Sequence, residues 1–106
     1  MWVYDLGTLL FLEVNDAAIR HYGYTREEFL RMRVTDVFVP EELPRVEAVL
    51  ADVTVSNDET VRRHARTFKH RLKDGAIRDV DVASHALDFA GRRARVVVVI
   101  DVTELT

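Results

Sequence analysis

The sequence contains no cysteine among its 106 residues. Without thiols the chain cannot form disulfide bonds, thiolate metal sites, a nucleophilic cysteine or a covalent cysteinyl-flavin adduct. Its four glycines form no glycine-rich loop of the kind that cradles phosphate groups. No apolar run approaches the roughly 20 residues of a membrane helix, and no signal segment opens the chain. We therefore expect a soluble, cytoplasmic domain that makes no membrane contact through this segment.

A broad positive surface is also missing, because 15 basic and 18 acidic residues are spread along the chain and give a formal net charge of -3. A nucleic-acid partner is therefore disfavoured. The short cluster Arg62-Arg63-His64-Ala65-Arg66 is the exception, and a solvated strand entrance explains it at least as well. The composition, 48% hydrophobic and 31% charged, is that of a globular protein, and the length fits one domain over residues 1–106.

Local signals in the first third of the chain predict a hairpin and two short helices. Two apolar runs, residues 1–5 and 9–14, are separated by a turn-like link and favour paired strands. Asn15 is a good N-cap for a helix, and Gly23 is typical of its C-terminal end. A second helix is predicted at Thr25-Arg26-Glu27-Glu28, which has the pattern of a capping box.

The periodicity then changes from helical to strand-like. A longer helix is predicted from about Glu41 to Val53, followed by a loop at Ser56-Asn57-Asp58-Glu59. Alternating apolar residues beyond position 67 predict three antiparallel strands, joined by turns at Lys73-Asp74-Gly75 and Ala90-Gly91. The last strand is predicted over residues 94–102.

The order of these elements, together with three groups of motifs, resembles the PAS family. The matching segments are FLEVNDAA at 11–18 followed by YGYTREE at 22–28, then Lys73-Asp74-Gly75, then Asp101-Val102-Thr103-Glu104. One Asp-Gly turn is common in proteins, but these pieces in this order at these separations are specific. The resemblance covers nearly the whole chain.

The resemblance implies an α+β fold in which a five-stranded antiparallel sheet of order 2-1-5-4-3 carries short helices over one face, with a cavity between. Family members sense haem, flavin, small carboxylic acids or other metabolites, or only dimerise. They continue past this point into a signalling helix and an output domain such as a histidine kinase or diguanylate cyclase. We therefore expect this chain to be part of a longer signalling protein, with its output domain in the same polypeptide.

Strand parity and the resemblance together predict which residues contact a small-molecule ligand in that cavity. They are Phe38, Leu50, Phe68, His70, Val82, Ser84, Val97 and Val99. His70 has the same parity as Phe68, so its imidazole is predicted to enter a mainly apolar space. The alternative for His70 is a core histidine whose hydrogen bonds are satisfied by a neighbour.

The last strand predicts a second kind of contact, because Val96-Val97-Val98-Val99-Ile100 is apolar on both faces whereas a strand buried on one side should alternate. Val96, Val98 and Ile100 are therefore expected to meet a flanking helix or a second subunit in a homodimer, or to be a patch exposed by truncation. The alternative function is accordingly a ligand-free dimerisation module. By resemblance, Asp101 and Thr103 relay the signal from the sheet to the outgoing helix.

No set of residues supports an enzyme, and we expect none. Ser84 and His85 point to opposite faces of a strand, which argues against a hydrolase built from them with Asp88. The resemblance also disfavours haem, because the best-known haem-binding family members carry the axial histidine on the long helix and the helix at 41–53 here contains none. The four histidines lack the close pairing of a metal site. The cofactor, if there is one, stays unidentified at this point.

Overall fold

The computed structural model describes residues 1–56, 62–63 and 67–103, with the side chains of 54–56 and 62–63 left aside. The predicted loop at 56–59 and the basic cluster at 62–66 therefore lie largely outside the described residues, as does Glu104 of the last motif.

One antiparallel sheet organises the domain. Its strands are β1 (Trp2–Asp5), β2 (Phe11–Val14), β3 (Arg62–Arg63), β4 (Phe68–Arg71), β5 (Ile77–Phe89) and β6 (Arg92–Asp101). The strand order is β2-β1-β6-β5-β3, and β4 also pairs with β5. Because β3 and β4 lie one after the other along β5, they act as one edge. The predicted five-stranded order 2-1-5-4-3 is confirmed.

The helices follow the hairpin in the chain and pack on one face of the sheet. They are α1 (Asp16–Tyr22), α2 (Arg26–Phe29), two 3-10 turns at Val34–Val37 and Pro40–Glu42, and α3 (Leu43–Ser56). The Asn15 side chain accepts a hydrogen bond from the backbone N–H of Ala18 at 3.0 Å, and Thr25 and Glu28 form the complete capping box. Both predicted helix starts are therefore confirmed.

The long helix begins slightly later than predicted. Pro40–Glu42 forms a 3-10 turn, and α3 starts only at Leu43. Pro44 then falls in the first turn of α3, where its missing N–H would have no intrahelical partner in any case. A similar small difference occurs at β6, which begins at Arg92 rather than at the predicted Ala94.

The main core lies between the sheet and α1, α2 and α3. Its most deeply buried aromatic members, each at most 2% exposed, are Trp2, Phe11, Tyr22 and Phe29. Their rings meet mostly edge to face, as for Trp2 on Phe11 with centroids 5.2 Å apart, an arrangement that aromatic quadrupoles favour. The opposite face of the sheet is partly open, with Val98 45% and Ile100 52% exposed.

Candidate functional site

A cavity of about 50 Å³ lies between the sheet and the helices. Seven of the eight residues predicted to contact a ligand border it, namely Phe38, Leu50, Phe68, His70, Val82, Ser84 and Val97. They come from the loop before α3, from α3 itself and from three strands. Strand parity thus identified side chains that are far apart in the sequence and border the same cavity.

Val99 is the exception among the predicted residues. It shares the parity of Val97 but packs against the core further along β6, and it borders a shallow surface depression with His21 and Asp101. Two residues along a strand correspond to almost 7 Å, which carries Val99 past the end of so small a cavity.

The size of the cavity limits what it can hold. A void of about 10–15 Å³ can hold one water molecule, while an engineered apolar cavity of about 150 Å³ takes up benzene. At about 50 Å³ the cavity has room for a few waters or for a molecule smaller than benzene. A larger ligand would require the helical wall to move.

His70 is the central polar residue of the cavity. Its side chain is fully buried, and Nδ1 lies 2.6 Å from the Tyr22 hydroxyl on α1. The ring of Phe38 meets it edge-on, with centroids 4.4 Å apart. Burial lowers the pKa of His70 to about 3, and nearby His21 acts in the same direction. The imidazole is therefore neutral at neutral pH.

The two ring nitrogens of His70 differ in their surroundings. Nδ1 is satisfied by Tyr22, as expected of a core histidine. Nε2 is buried and has no hydrogen-bond partner among the described residues. A buried polar group left in this state costs about 1–3 kcal/mol, and the residue that carries it borders the cavity.

Trp2 is a second such group, and sequence reasoning missed it. The indole borders the cavity, is 2% exposed, and its Nε1 also lacks a partner within the described part of the chain. It stacks on His70 with centroids 5.9 Å and planes 27° apart. The signal that could have revealed it is strand order: β1 is a central strand, and Trp2 lies opposite cavity-facing Val97.

Arg95 is a buried charge that was also missed. It is fully buried and donates from Nε to Ser84 Oγ and from Nη2 to the Ser84 carbonyl oxygen, both at 3.1 Å. Ser84 borders the cavity, whereas Arg95 is not among the residues that line it. The parity that Arg95 shares with Val97 could have shown that the guanidinium faces inward.

The end of β6 is tied to the rest of the domain through Asp101. Its carboxylate accepts from Arg78 Nε at 2.6 Å and lies 2.7 Å from His21 Nε2 on α1. It also accepts from the backbone N–H and the hydroxyl of Thr103, at 3.0 and 2.7 Å. The two residues predicted to relay the signal are therefore in direct contact with each other, and Asp101 also contacts α1, whose Tyr22 is hydrogen-bonded to His70.

The predicted interface residues lie on the open face of the sheet. Val98 and Ile100 are about half exposed, at 45% and 52%, and Val96 is half-buried. Val98 lies opposite Ala83 on β5, and Ile100 lies opposite Asp81. We refer to Val96, Val98 and Ile100 as the outer patch.

The described residues bring together no group of three or more histidine, aspartate or glutamate side chains that could hold a metal ion. Ser84 and His85 do not form a catalytic pair, because Ser84 Oγ is bonded to Arg95 while His85 Nδ1 lies 3.0 Å from the carbonyl oxygen of Ala86. Over the same residues, no helix is both long and apolar enough to cross a membrane.

Comparison with known proteins gives the class of this domain. The family model described as PAS domain matches residues 3–104, and the chain therefore belongs to the PAS family, whose domains generally serve as sensory modules rather than enzymes. No protein among the curated sequences matches the chain.

Solved structures agree with this assignment. A PAS domain from a two-component sensor histidine kinase is 26% identical, with a TM-score of 0.71, over 94% of this chain and 81% of the other. The PAS domain of an HTR-like protein from Haloarcula marismortui is 18% identical, with a TM-score of 0.77, over 94% and 78% of the two chains. A variant PAS-B domain of Drosophila melanogaster Cycle, solved with bound glycerol, is 14% identical, with a TM-score of 0.76, over 95% and 99%.

Proposed function

We propose that this domain senses a small molecule bound in the cavity and passes the signal to an output domain in the same polypeptide, such as a histidine kinase or diguanylate cyclase. The observation that carries the proposal is the fully buried His70, whose Nε2 has no partner among the described residues and whose ring borders the cavity. Natural proteins rarely leave a buried polar atom unpaired. A ligand that supplies the missing hydrogen bond would gain binding free energy from it.

The proposed ligand contacts are the seven predicted residues that border the cavity, joined by Trp2. Val99 is retained as a contact only for a ligand large enough to displace the wall between the cavity and the depression that Val99 borders. A ligand acts as a signal only if it prefers one of two arrangements of the protein. The Tyr22–His70 hydrogen bond gives α1 a direct link to the cavity, so we place the moving element there.

The proposed route to the output domain runs through Asp101 and Thr103. His21 is the neighbour of Tyr22 on α1 and contacts Asp101. A shift of α1 caused by a ligand at His70 would therefore change the hydrogen bonds at the end of β6. This contact supports the relay role that the resemblance assigns to these two residues.

The test is mass spectrometry of the purified domain, first under native and then under denaturing conditions, together with an absorption spectrum. We expect a copurifying small molecule, released on denaturation, and no covalent adduct, since the chain has no cysteine. A visible chromophore would identify the ligand class directly. A domain that is free of ligand in every preparation and stays so with cell extract would contradict the proposal.

A second candidate function is homodimerisation without a ligand, and the outer patch favours it. Val98 and Ile100 each expose about half of a large apolar side chain on the same face of one strand. The occupant we propose is a second copy of the chain, because an apolar strip on a regular sheet face can pack on its own symmetry mate. The measurement that decides is the mass of the particle in solution as a function of protein concentration.

A further inference from the structure

We propose that the cavity takes a small, uncharged molecule of no more than about five heavy atoms, whose oxygen accepts hydrogen bonds from the N–H groups of Trp2 and His70. This inference rests on the proposed function and adds to it the chemical class of the ligand. It follows from the hydrogen-bonding groups, the charge and the size of the cavity.

The first step concerns Trp2, whose hydrogen-bonding role is fixed. Indole Nε1–H can only donate. The group is buried and lacks a partner among the described residues. Whatever satisfies it must therefore carry a lone pair, which a hydrocarbon or a ligand ammonium group cannot supply.

The second step concerns the proton on His70, which the bond to Tyr22 decides. Tyr22 is 2% exposed, and burial raises the pKa of its hydroxyl, with Asp101 acting in the same direction, so the hydroxyl keeps its hydrogen. If it donates that hydrogen to Nδ1, the neutral imidazole carries its own proton on Nε2. The opposite tautomer would leave both the phenolic hydrogen and Nε2 unpaired in the interior, which is less favourable.

Both unpartnered groups are then donors on stacked rings, with centroids 5.9 Å apart. Because both residues border the same cavity, the ligand we propose satisfies both donors with the two lone pairs of one carbonyl or alcohol oxygen. A ligand that is itself only a donor is excluded by the same count.

The third step concerns charge. His70 is neutral, and indole is neutral, so neither group offsets the loss of hydration of a carboxylate in an apolar cavity. No lysine or arginine is among the residues that line the cavity. Arg95 directs two of its N–H groups to Ser84, and Arg45 lies over the ring of Phe68. An uncharged acceptor fits this environment better than an anion does.

Three planar molecules of the same size test the proposed ligand class directly on the unmodified domain. They are acetone, which is an uncharged acceptor, acetate, which is an anion, and isobutene, which has no acceptor. Trp2 is the only tryptophan, so its indole N–H gives a single side-chain resonance in a ¹⁵N–¹H spectrum. We expect acetone to shift this resonance downfield in a saturable way. At equal concentration and neutral pH, acetate and isobutene should give no saturable shift.

A variant pair then assigns the effect to the cavity. His70→Leu should weaken acetone binding about tenfold, the effect of one lost hydrogen bond. Ala51→Glu, on the exposed side of α3, should leave the affinity unchanged. Because the three-probe comparison uses the unmodified chain, the test does not depend on His70→Leu folding.

Each contrary outcome points to a different failure. Tighter binding of acetate would show that the cavity takes an anion, and equal binding of isobutene would show that no acceptor is needed; either overturns the ligand class and leaves small-molecule sensing in place. A copurifying molecule that is larger or lacks an acceptor would do the same. If no probe binds and no molecule copurifies, the ligand class and the proposed function are overturned together. An ordered water that accepts hydrogen bonds from Trp2 and His70 would then explain how these two groups are satisfied.

Discussion

His21 Nε2 lies 2.7 Å from a carboxylate oxygen of Asp101, which joins α1 to the end of the last strand across 80 positions of sequence. The next residue on α1, Tyr22, is bonded to His70 in the cavity. Two consecutive residues of one short helix therefore contact the candidate ligand site and the end of β6. Since α1 has only seven residues, we expect a displacement at one of these contacts to affect the other.

The first prediction concerns the carboxylate of Asp101. Asp101→Asn removes the negative charge that Arg78 and His21 contact, and we expect it to lower the free energy of unfolding by about 2 kcal/mol. Urea denaturation followed by Trp2 fluorescence measures the change. Glu27→Gln, at an exposed carboxylate on α2, is the control and should change stability by less than about 0.5 kcal/mol. Equal effects of the two variants would show that the contacts of Asp101 contribute nothing specific.

The same carboxylate predicts a loss of stability in acid. Burial acts to raise the pKa of Asp101, but hydrogen bonds from Arg78, Thr103 and His21 outweigh it and hold the pKa well below its usual value. The unfolded chain therefore binds a proton at higher pH than the folded one does. The contribution of Asp101 is fully present above about pH 5 and is lost as the pH falls through about 4 and below. In Asp101→Asn this part of the acid dependence should be absent.

A separate pH dependence is predicted for His70. Its pKa in the folded protein is lowered to about 3, while in the unfolded chain it is about 6.5. Between these values only the unfolded state binds the proton, so stability falls as the pH is lowered, by at most about 1.4 kcal/mol per pH unit. Urea titrations from pH 7.5 to 4.5 should show a shallower slope for His70→Leu than for the unmodified chain. Parallel slopes would mean that His70 has the same pKa in the folded and unfolded states.

Much of the fold could be predicted because its signals are local. Asn15, the Thr25 capping box and the Ala90-Gly91 turn each act within a few residues, and all three lie where the pattern placed them. Strand order came from the family resemblance, and parity then assigned seven of the residues that border the cavity. Parity states which face of the sheet a side chain occupies.

The polar pairings of the site could not be predicted in this way. Tyr22 and His70 are 48 positions apart, and their hydrogen bond depends on how α1 is placed over the sheet, which no local pattern specifies. Parity placed Val99 on the inner face, where it packs against the core, but parity does not give the distance along the strand to the end of the cavity, which Val99 does not border. Arg95 was overlooked because a charged residue in the core is uncommon.

The β5–β6 turn gives a fourth prediction, on stability alone. Phe89 pairs with Arg92, so Ala90-Gly91 is a two-residue loop, and both residues have positive φ, 50° and 78°. This is the type I′ geometry, which favours Asn-Gly, and alanine is strained there. We expect Ala90→Asn to stabilise the domain by about 1 kcal/mol, measured by urea denaturation. Ala76→Asn, in an exposed turn without positive φ, should give no gain.

The outer patch yields the last prediction, which separates the two candidate functions. Val98→Glu places a charge at the centre of the patch, opposite Ala83, where a second copy of the chain would have to bury it. If the chain dimerises through this face, sedimentation should show a dimer for the unmodified domain and a monomer for the variant. Ala51→Glu, which adds the same charge on α3, should stay dimeric.

Cavity binding should be unaffected by Val98→Glu, because Val98 points away from the cavity and its neighbour Val97 lines it. An unmodified domain that is monomeric at every accessible concentration would remove the dimerisation function. A dimer that survives Val98→Glu would place the interface elsewhere on the chain. Loss of both association and acetone binding in this one variant would instead mean that dimerisation shapes the cavity, since β6 carries the outer patch on one face and Val97 on the other.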